Sequence, residues 1–218
     1  MADLLQNPVL YYVTDPMCAW CYGFTPVVRR LWALWRGRLT IHVVVGGLNP
    51  YAEEPLHREE KERLAVSWHR VQERTFQPFD YRFFLQKDYV YNTEPACRAL
   101  LCARHLRPML TLEILRALHS AFYADGQDIT DTQVLVNIMR LFGIQEGLFL
   151  TLFESEEMMR QTEEEFRFAQ QLGATNFPST FWQGNNGPIL LTKGYCDLLE
   201  LEDRLLEQMQ HSNYGAPS

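Results

Sequence analysis

Two cysteines three positions apart, Cys18 and Cys21, are the residues whose types and spacing most clearly suggest chemistry. A short apolar run at 9–13 and a turn at 15–17 precede them, and an apolar segment at 22–35 follows. This pattern predicts a strand, a turn and a helix, with Cys18 in the first helical turn. Two thiols at this spacing can close a small disulfide ring and reopen it, which is thiol–disulfide exchange.

The predicted place of Cys18 at a helix N-terminus favours a reactive thiolate. Unpaired backbone N–H groups and the positive end of the helix dipole both stabilise negative charge there. We therefore expect Cys18 to be the exposed nucleophile and Cys21, one turn further in, to be the less accessible resolving thiol. Trp20 lies between the two cysteines, where it is expected either to line a substrate site or simply to pack.

Half of a zinc site is the alternative interpretation of the same pair. A closed structural zinc site needs four ligands, usually from two such pairs or from one pair and spaced histidines. The sequence contains neither a second Cys-x-x-Cys nor two histidines at zinc-finger spacing. The prediction is therefore a redox pair and no metal.

A second candidate segment lies far downstream, at 173–182, with the sequence Gly-Ala-Thr-Asn-Phe-Pro-Ser-Thr-Phe-Trp. Gly173 is expected to end a helix, and Pro178 opens an apolar run that predicts a strand. A cis bond before Pro178 would expose the backbone of Phe177, and an extended substrate could pair with it as an added strand. Phe177 and Pro178 are therefore candidate substrate-binding residues, although the sequence leaves cis or trans open.

The order of the predicted elements resembles the thioredoxin fold. Cys21 and Pro178 are 178 − 21 = 157 positions apart, and a helical segment of that size resembles the insertion of the DsbA family. The resemblance implies an α/β protein, a thioredoxin fold with a large all-helical insertion. Its expected parts are a first thioredoxin-like segment at 7–50, the insertion at 51–154 and a second thioredoxin-like segment at 155–211.

Two motifs carry this resemblance to the family. The segment 15–21, Asp-Pro-Met-Cys-Ala-Trp-Cys, is similar to the Asp-x-x-Cys-Pro-Trp-Cys of the FrnE-like branch, and Gly-Ala-Thr-x-Phe-Pro at 173–178 resembles that branch's Gly-Val-x-Gly-x-Pro loop. The chain departs from the branch at Ala19, where proline is commoner, and at Asn176, where glycine is commoner.

The resemblance also implies a function. It points to a thiol–disulfide oxidoreductase or protein disulfide isomerase that acts on protein, peptide or small-thiol substrates. In that family the first cysteine attacks and the proline loop guides the substrate. No cofactor is expected, but glutathione or another reductant has to recycle the site. The direction of electron flow stays open, because it depends on the redox potential and the compartment.

Composition narrows the classes of partner. The chain has 218 residues, 47% of them hydrophobic, which is ample for a sizeable core. Its formal charge of −7 argues against a nucleic-acid partner. No apolar run reaches the roughly 18 residues of a membrane span, and the first residues do not resemble a secretory signal. The five cysteines are an odd number, so a cytoplasmic location is expected.

Asp15 and the three cysteines outside the Cys-x-x-Cys pair are further candidate residues. Asp15, three positions before Cys18, is a candidate proton relay or an acceptor of backbone hydrogen bonds in the turn. The remaining cysteines are expected to be buried free thiols, and for Cys196 a mixed disulfide with a partner is the alternative. These cysteines are Cys97, Cys102 and Cys196.

Five aromatic residues near the two motifs predict an apolar groove beside Cys18: Tyr12, Trp20, Tyr22, Phe24 and Phe177. Two other functions compete with disulfide exchange. A glutathione transferase or isomerase of the kappa type has a similar insertion but a serine where Cys18 stands. A non-catalytic, redox-sensing binding module would use the same groove without turnover.

Overall fold

A four-stranded mixed sheet forms the centre of the protein, as described by a computed structural model that covers residues 8–184 and 186–211. The strand order is β2-β1-β3-β4; β1 and β2 are parallel, and the other neighbours are antiparallel. The strands are β1 (Val9–Thr14), β2 (Thr40–Val45), β3 (Ser179–Gly184) and β4 (Gly187–Lys193). The predicted α/β fold class is confirmed.

Eight α-helices accompany the sheet in the described part of the chain: α1 (Ala19–Leu34), α2 (Arg58–Thr75), α3 (Glu94–Leu106), α4 (Thr111–Tyr123), α5 (Thr132–Leu141), α6 (Glu146–Phe153), α7 (Glu156–Gln171) and α8 (Leu198–His211). Two short 3₁₀ helices lie at Tyr81–Leu85 and Pro108–Leu110. Helices α2 to α6 fall within the segment expected to be inserted, although its boundaries stay a prediction. Within the described residues, no helix is both long and apolar enough to cross a membrane.

The alternation of side chains along β1 explains why both faces of the sheet are covered. Leu10 and Tyr12 point into the main core, towards α1 and the helices of the insertion. Val13 points to the opposite face and packs with Val44 and with Ala169 of α7. The strand is therefore buried on both sides, and the turn that follows it is held in the interior.

Helix α1 continues through Pro26, even though proline removes one backbone hydrogen bond from a helix. Its buried residues keep helical spacing on both sides of the proline. They include Phe24, Val28 and Leu31. The predicted single helix is confirmed. Its burial fixes the orientation of the two cysteines at its first turn.

The aromatic-rich segment at 76–91 contains regular structure and packs into the core. It contains the 3₁₀ helix at Tyr81–Leu85, and its rings pack around Trp68 of α2. The ring centroids of Phe83 and Phe84 lie 5.1 and 4.7 Å from that of Trp68. This cluster, together with Phe122 and Tyr123 of α4, packs α2 against the other elements of the insertion.

Candidate active site

Cys18 is the N-cap residue of α1, with extended backbone angles (φ −95°, ψ 114°). Its Sγ accepts a hydrogen bond from the backbone N–H of Cys21 at 3.4 Å, so the sulfur lies where the unpaired helical N–H groups point. Both thiols are free. The expected asymmetry is present, since Cys18 is 5% exposed and Cys21 is 0% exposed. The prediction of an exposed nucleophile is wrong, however, because Cys18 is itself buried.

The two thiols differ in their electrostatic environment. Burial raises the pKa of the Cys21 thiol well above its usual value, and the adjacent Cys18 raises it further. A charge on Cys21 is costly because the group has no contact with water. Cys21 is therefore a protonated thiol at neutral pH, which suits a resolving thiol. Cys18, in contrast, lies at the helix N-terminus.

The loop before β3 lies directly against Cys18. The Phe177–Pro178 peptide bond is cis, and the Phe177 carbonyl oxygen is 3.6 Å from the Cys18 Sγ. Pro178 is buried, and its carbonyl accepts a hydrogen bond from Gly194 N at 2.7 Å. The structure thus brings together four residues that the sequence placed in two distant motifs: Cys18, Cys21, Phe177 and Pro178.

Gly46, at the end of β2, makes room for this loop. A Cβ atom at Gly46 would lie 2.3 Å from the Cε1 and Cζ atoms of the Phe177 ring. The Gly46 N–H also bonds to the carbonyl of Thr14, next to the catalytic turn. Only glycine lets the Phe177 ring lie this close to the backbone, so Gly46 positions the proline loop. Sequence analysis missed this residue.

Asp15 is fully buried, and its carboxylate organises the turn before Cys18. It accepts hydrogen bonds from the backbone N–H of Met17 at 2.8 Å and of Leu48 at 2.7 Å, and from the Cys97 thiol at 3.3 Å. Burial raises the pKa of Asp15, and these hydrogen bonds oppose that rise. Asp15 therefore acts as a hydrogen-bond acceptor that connects the turn before Cys18 to the loop after β2. The role of Asp15 as a proton relay stays a prediction.

A buried chain of hydrogen-bonding side chains runs behind Cys21. Thr14 Oγ1 donates to Tyr12 Oη at 3.1 Å, Tyr12 Oη lies 3.2 Å from Thr25 Oγ1, and Thr25 Oγ1 lies 3.2 Å from His119 Nδ1. The other nitrogen of His119 faces the carbonyl of Asp15 at 3.2 Å. Since a carbonyl only accepts, Nε2 carries the proton of the neutral ring. The Thr25 hydroxyl also donates to the Cys21 carbonyl at 3.0 Å, so its one proton is shared between that carbonyl and Nδ1.

His119 is neutral at pH 7, and the cause is its burial rather than its hydrogen bonds. Burial lowers the pKa of His119 to about 4. Sequence analysis did not identify His119, because its contacts with Thr25 and Asp15 join α4 to parts of the chain more than 90 positions away. The histidine therefore supports the turn before Cys18 from the side of α4.

The groove beside Cys18 differs from the one that the sequence predicts. Trp20 and Phe177 line it, but Tyr12, Tyr22 and Phe24 are buried in the core. The groove has a volume of about 430 Å³, and its walls come from α1, the end of α2 and the two loops that flank the β3–β4 hairpin. Its lining consists of Trp20, Arg74, Asn176, Phe177, Gly194 and Tyr195.

The other cysteines are buried, as expected. Burial raises the pKa values of Cys102 and Cys196 to about 12, and raises that of Cys97 well above its usual range. Such thiols are poor nucleophiles. In the part of the chain that the structure describes, no three His, Cys, Asp or Glu side chains are arranged to hold a metal ion.

A mixed sheet, a Cys-x-x-Cys pair at the start of α1 and a cis-proline loop against the first cysteine define a thioredoxin-fold protein of the oxidoreductase class. The model of the DSBA-like thioredoxin domain matches residues 9–205. The chain therefore belongs to the DSBA-like thioredoxin domain family. The resemblance to the FrnE-like branch stays a prediction.

Solved structures agree with this assignment. A candidate protein disulfide isomerase from Nitrosomonas europaea is 31% identical, with a TM-score of 0.88 over 96% of this chain and 100% of that chain. The cytosolic disulfide reductase DsbM from Pseudomonas aeruginosa is 25% identical, with a TM-score of 0.76 over 93% of this chain and 98% of that one. The same reductase has also been solved with GSH.

Curated relatives are more distant. The ClpXP adapter protein SpxH from Halalkalibacterium halodurans is 22% identical over 139 residues, which are 62% of this chain and 45% of the relative. SpxH from Bacillus subtilis is 18% identical over 171 residues, 78% of this chain and 56% of the relative. The chain thus spans about half the length of the curated relatives that it matches.

Proposed function

We propose that the protein is a disulfide reductase or isomerase that exchanges disulfides with protein or small-thiol substrates through Cys18 and Cys21. The observation that carries the proposal is the asymmetry of the pair. Cys18 lies at the helix N-terminus and next to the groove, whereas Cys21 is fully buried behind it. A substrate can therefore approach only the first sulfur.

The first step is attack by the Cys18 thiolate on one sulfur of the substrate disulfide. The Cys18–substrate bond forms, the substrate S–S bond breaks, and the leaving sulfur departs as a thiolate that takes up a proton. A Cys18 thiolate has no proton to donate to the Phe177 carbonyl, 3.6 Å away. That carbonyl is then available to accept a backbone N–H of an extended substrate.

Cys21 resolves the mixed disulfide. Its thiol loses a proton, attacks the Cys18 Sγ and releases the second substrate thiolate. The substrate has then gained two electrons, and Cys18 and Cys21 are joined as a disulfide. Because burial raises the pKa of Cys21, this step is slowed, which gives a mixed disulfide time to rearrange as an isomerase requires.

Glutathione is the proposed thiol that recycles the site. One glutathione thiolate attacks Cys18 and releases Cys21, and a second attacks the bound glutathione sulfur and releases Cys18. Two glutathione molecules are thereby oxidised to one glutathione disulfide. The structure of the neighbouring reductase with GSH supports this choice, and the description of that reductase as cytosolic supports a cytoplasmic location.

Single-cysteine variants test the proposal. Cys18→Ser should abolish reduction of a disulfide substrate such as insulin. Cys21→Ser should accumulate a covalent adduct on Cys18 that is detected by mass spectrometry, because the resolving thiol is absent. Cys102→Ser is the matched control and should keep its turnover. Full turnover by Cys18→Ser would refute the proposal, and glutathione conjugation that survives in Cys21→Ser would favour the transferase alternative.

A further inference from the structure

The last turn of α2 packs directly against α1, the helix that begins after Cys18. A Cβ atom at Gly23, two positions after Cys21, would lie 2.9 Å from side-chain carbons of both Val71 and Thr75. The absence of a side chain at Gly23 therefore allows α1 and α2 to pack closely. Arg74 belongs to this last turn, so its place beside the groove follows from the helix packing.

The Arg74 side chain is held on the wall of the groove by an aromatic ring. Its Cζ lies 5.4 Å from the centre of the Tyr195 ring, a cation–π contact. Tyr195 packs in turn against Trp20, with ring centroids 6.0 Å apart. Arg74 and Trp20 line the same groove, together with the Phe177 residue whose carbonyl faces Cys18.

No carboxylate of the described residues lies within 4.0 Å of the Arg74 guanidinium. Arg74 is exposed, so its donors face the groove and solvent. A guanidinium carries donors in a planar fork that fits a carboxylate, and stacking on a ring keeps that fork in place. In a chain of net charge −7, this cation makes the groove attractive to an anion.

We propose that Arg74 binds a carboxylate of the substrate and makes the site selective for small thiols that carry a carboxylate, with glutathione as the ligand. The inference rests on the proposed function. Glutathione has a carboxylate at each end, and its sulfur would bond to Cys18 while one carboxylate meets Arg74. Arg74 is thus a specificity-determining residue rather than a participant in the electron transfer.

The first test compares thiols of different charge. The oxidised protein is mixed with glutathione or with uncharged 2-mercaptoethanol, and the rate constant for reduction of the Cys18–Cys21 disulfide is measured by trapping thiols. Arg74→Gln should lower the rate constant with glutathione about tenfold, the effect of one charge-assisted hydrogen bond. The rate constant with 2-mercaptoethanol should change by less than about twofold. The loss should shrink at high salt, because ions screen the exposed guanidinium.

Arg63→Gln is the matched control. Arg63 is an exposed arginine on the same helix, 11 positions earlier, and so about 16 Å away along the helix axis. The Arg63→Gln substitution removes the same charge and should leave both rate constants unchanged. An equal loss with both thiols in Arg74→Gln would mean a structural role, and no loss with glutathione would mean no contact; either result overturns the inference.

The second test does not depend on disulfide exchange. S-methylglutathione has no free thiol, and its binding to the reduced protein can be measured by calorimetry. Arg74→Gln should weaken that binding about tenfold, and Arg74→Lys should weaken it less. Equal binding by wild type and Arg74→Gln would overturn the inference. If S-methylglutathione binds through Arg74 but no thiol reduces the oxidised protein, the proposed function fails and the assignment of Arg74 stands.

Discussion

The close approach of Phe177 to Gly46 leads to a quantitative prediction for Gly46→Ala. The new Cβ would lie 2.3 Å from the Phe177 ring, about 1.1 Å less than the 3.4 Å at which ordinary contact begins. Gly46 itself is buried at the end of β2, so the ring is expected to move rather than the strand. A displacement of about 1 Å carries the Phe177 carbonyl away from Cys18, and misplacement on this scale can lower a rate by up to about 100-fold.

The assay has two parts. Unfolding in urea should show that Gly46→Ala is folded but about 1–3 kcal/mol less stable, the usual cost of overpacking. The rate constant for reduction of a peptide disulfide should fall by about tenfold or more, since the proline loop is displaced. The control is Gly147→Ala, because a Cβ at Gly147 in α6 meets no atom within 4 Å. That variant should keep its activity and gain up to about 1 kcal/mol of helix stability.

An unchanged exchange rate in Gly46→Ala would refute the reasoning, whatever happens to stability. It would mean that the substrate does not use the Phe177 backbone. A loss of activity that Gly147→Ala shares would also refute it, since the effect would then not come from contact with the loop.

Three further predictions concern other parts of the site. The pKa of His119 is about 4 in the folded protein, against 6.5 for a free histidine. Between pH 6.5 and pH 4, His119 is therefore protonated in the unfolded chain but neutral in the folded protein. The free energy of unfolding should therefore drop by up to about 3 kcal/mol between pH 6.5 and pH 4, and urea unfolding of His119→Gln should show a smaller drop. Thiol counting in denaturant should find five thiols in the reduced protein and three after oxidation, since Cys97, Cys102 and Cys196 are buried; loss of any of these three would contradict the assignment of the redox pair. Gly23→Ala should push the end of α2 off α1, because its Cβ would meet Val71 and Thr75 at 2.9 Å, and should therefore lower the free energy of unfolding by about 1 kcal/mol or more and slow reduction by glutathione. Unchanged stability and an unchanged rate with glutathione would show that the two helices adjust without consequence.

Much of the fold follows from local patterns. The strand and the helix predicted on either side of the turn at 15–17 are present as β1 and α1, because a short apolar run and a longer run with helical spacing favour these two elements. Helix α6, at 146–153, was missed. Its N-cap, Gln145, makes no capping bond, and its apolar residues are nearly continuous, so neither the start signal nor the periodicity is present.

The site was predictable only where its residues form motifs. Cys18, Cys21 and the Phe-Pro loop stand out in the sequence because their spacing and chemistry are unusual. Arg74, Gly46 and His119 contribute through contacts between segments that are distant in the chain, and nothing in their local sequence distinguishes them from surface or core residues. Tyr12 and Phe24 were predicted in the groove but face the core, because their positions on β1 and α1 point inward.

The redox equilibrium of the Cys18–Cys21 pair decides whether these two residues form a redox centre. The protein is equilibrated with a series of reduced and oxidised glutathione, its thiols are trapped, and the disulfide is located by mass spectrometry. We expect a single reversible two-electron transition in which only the disulfide between Cys18 and Cys21 forms. If no such disulfide forms at any ratio, the pair is not a redox centre and the proposed function is wrong.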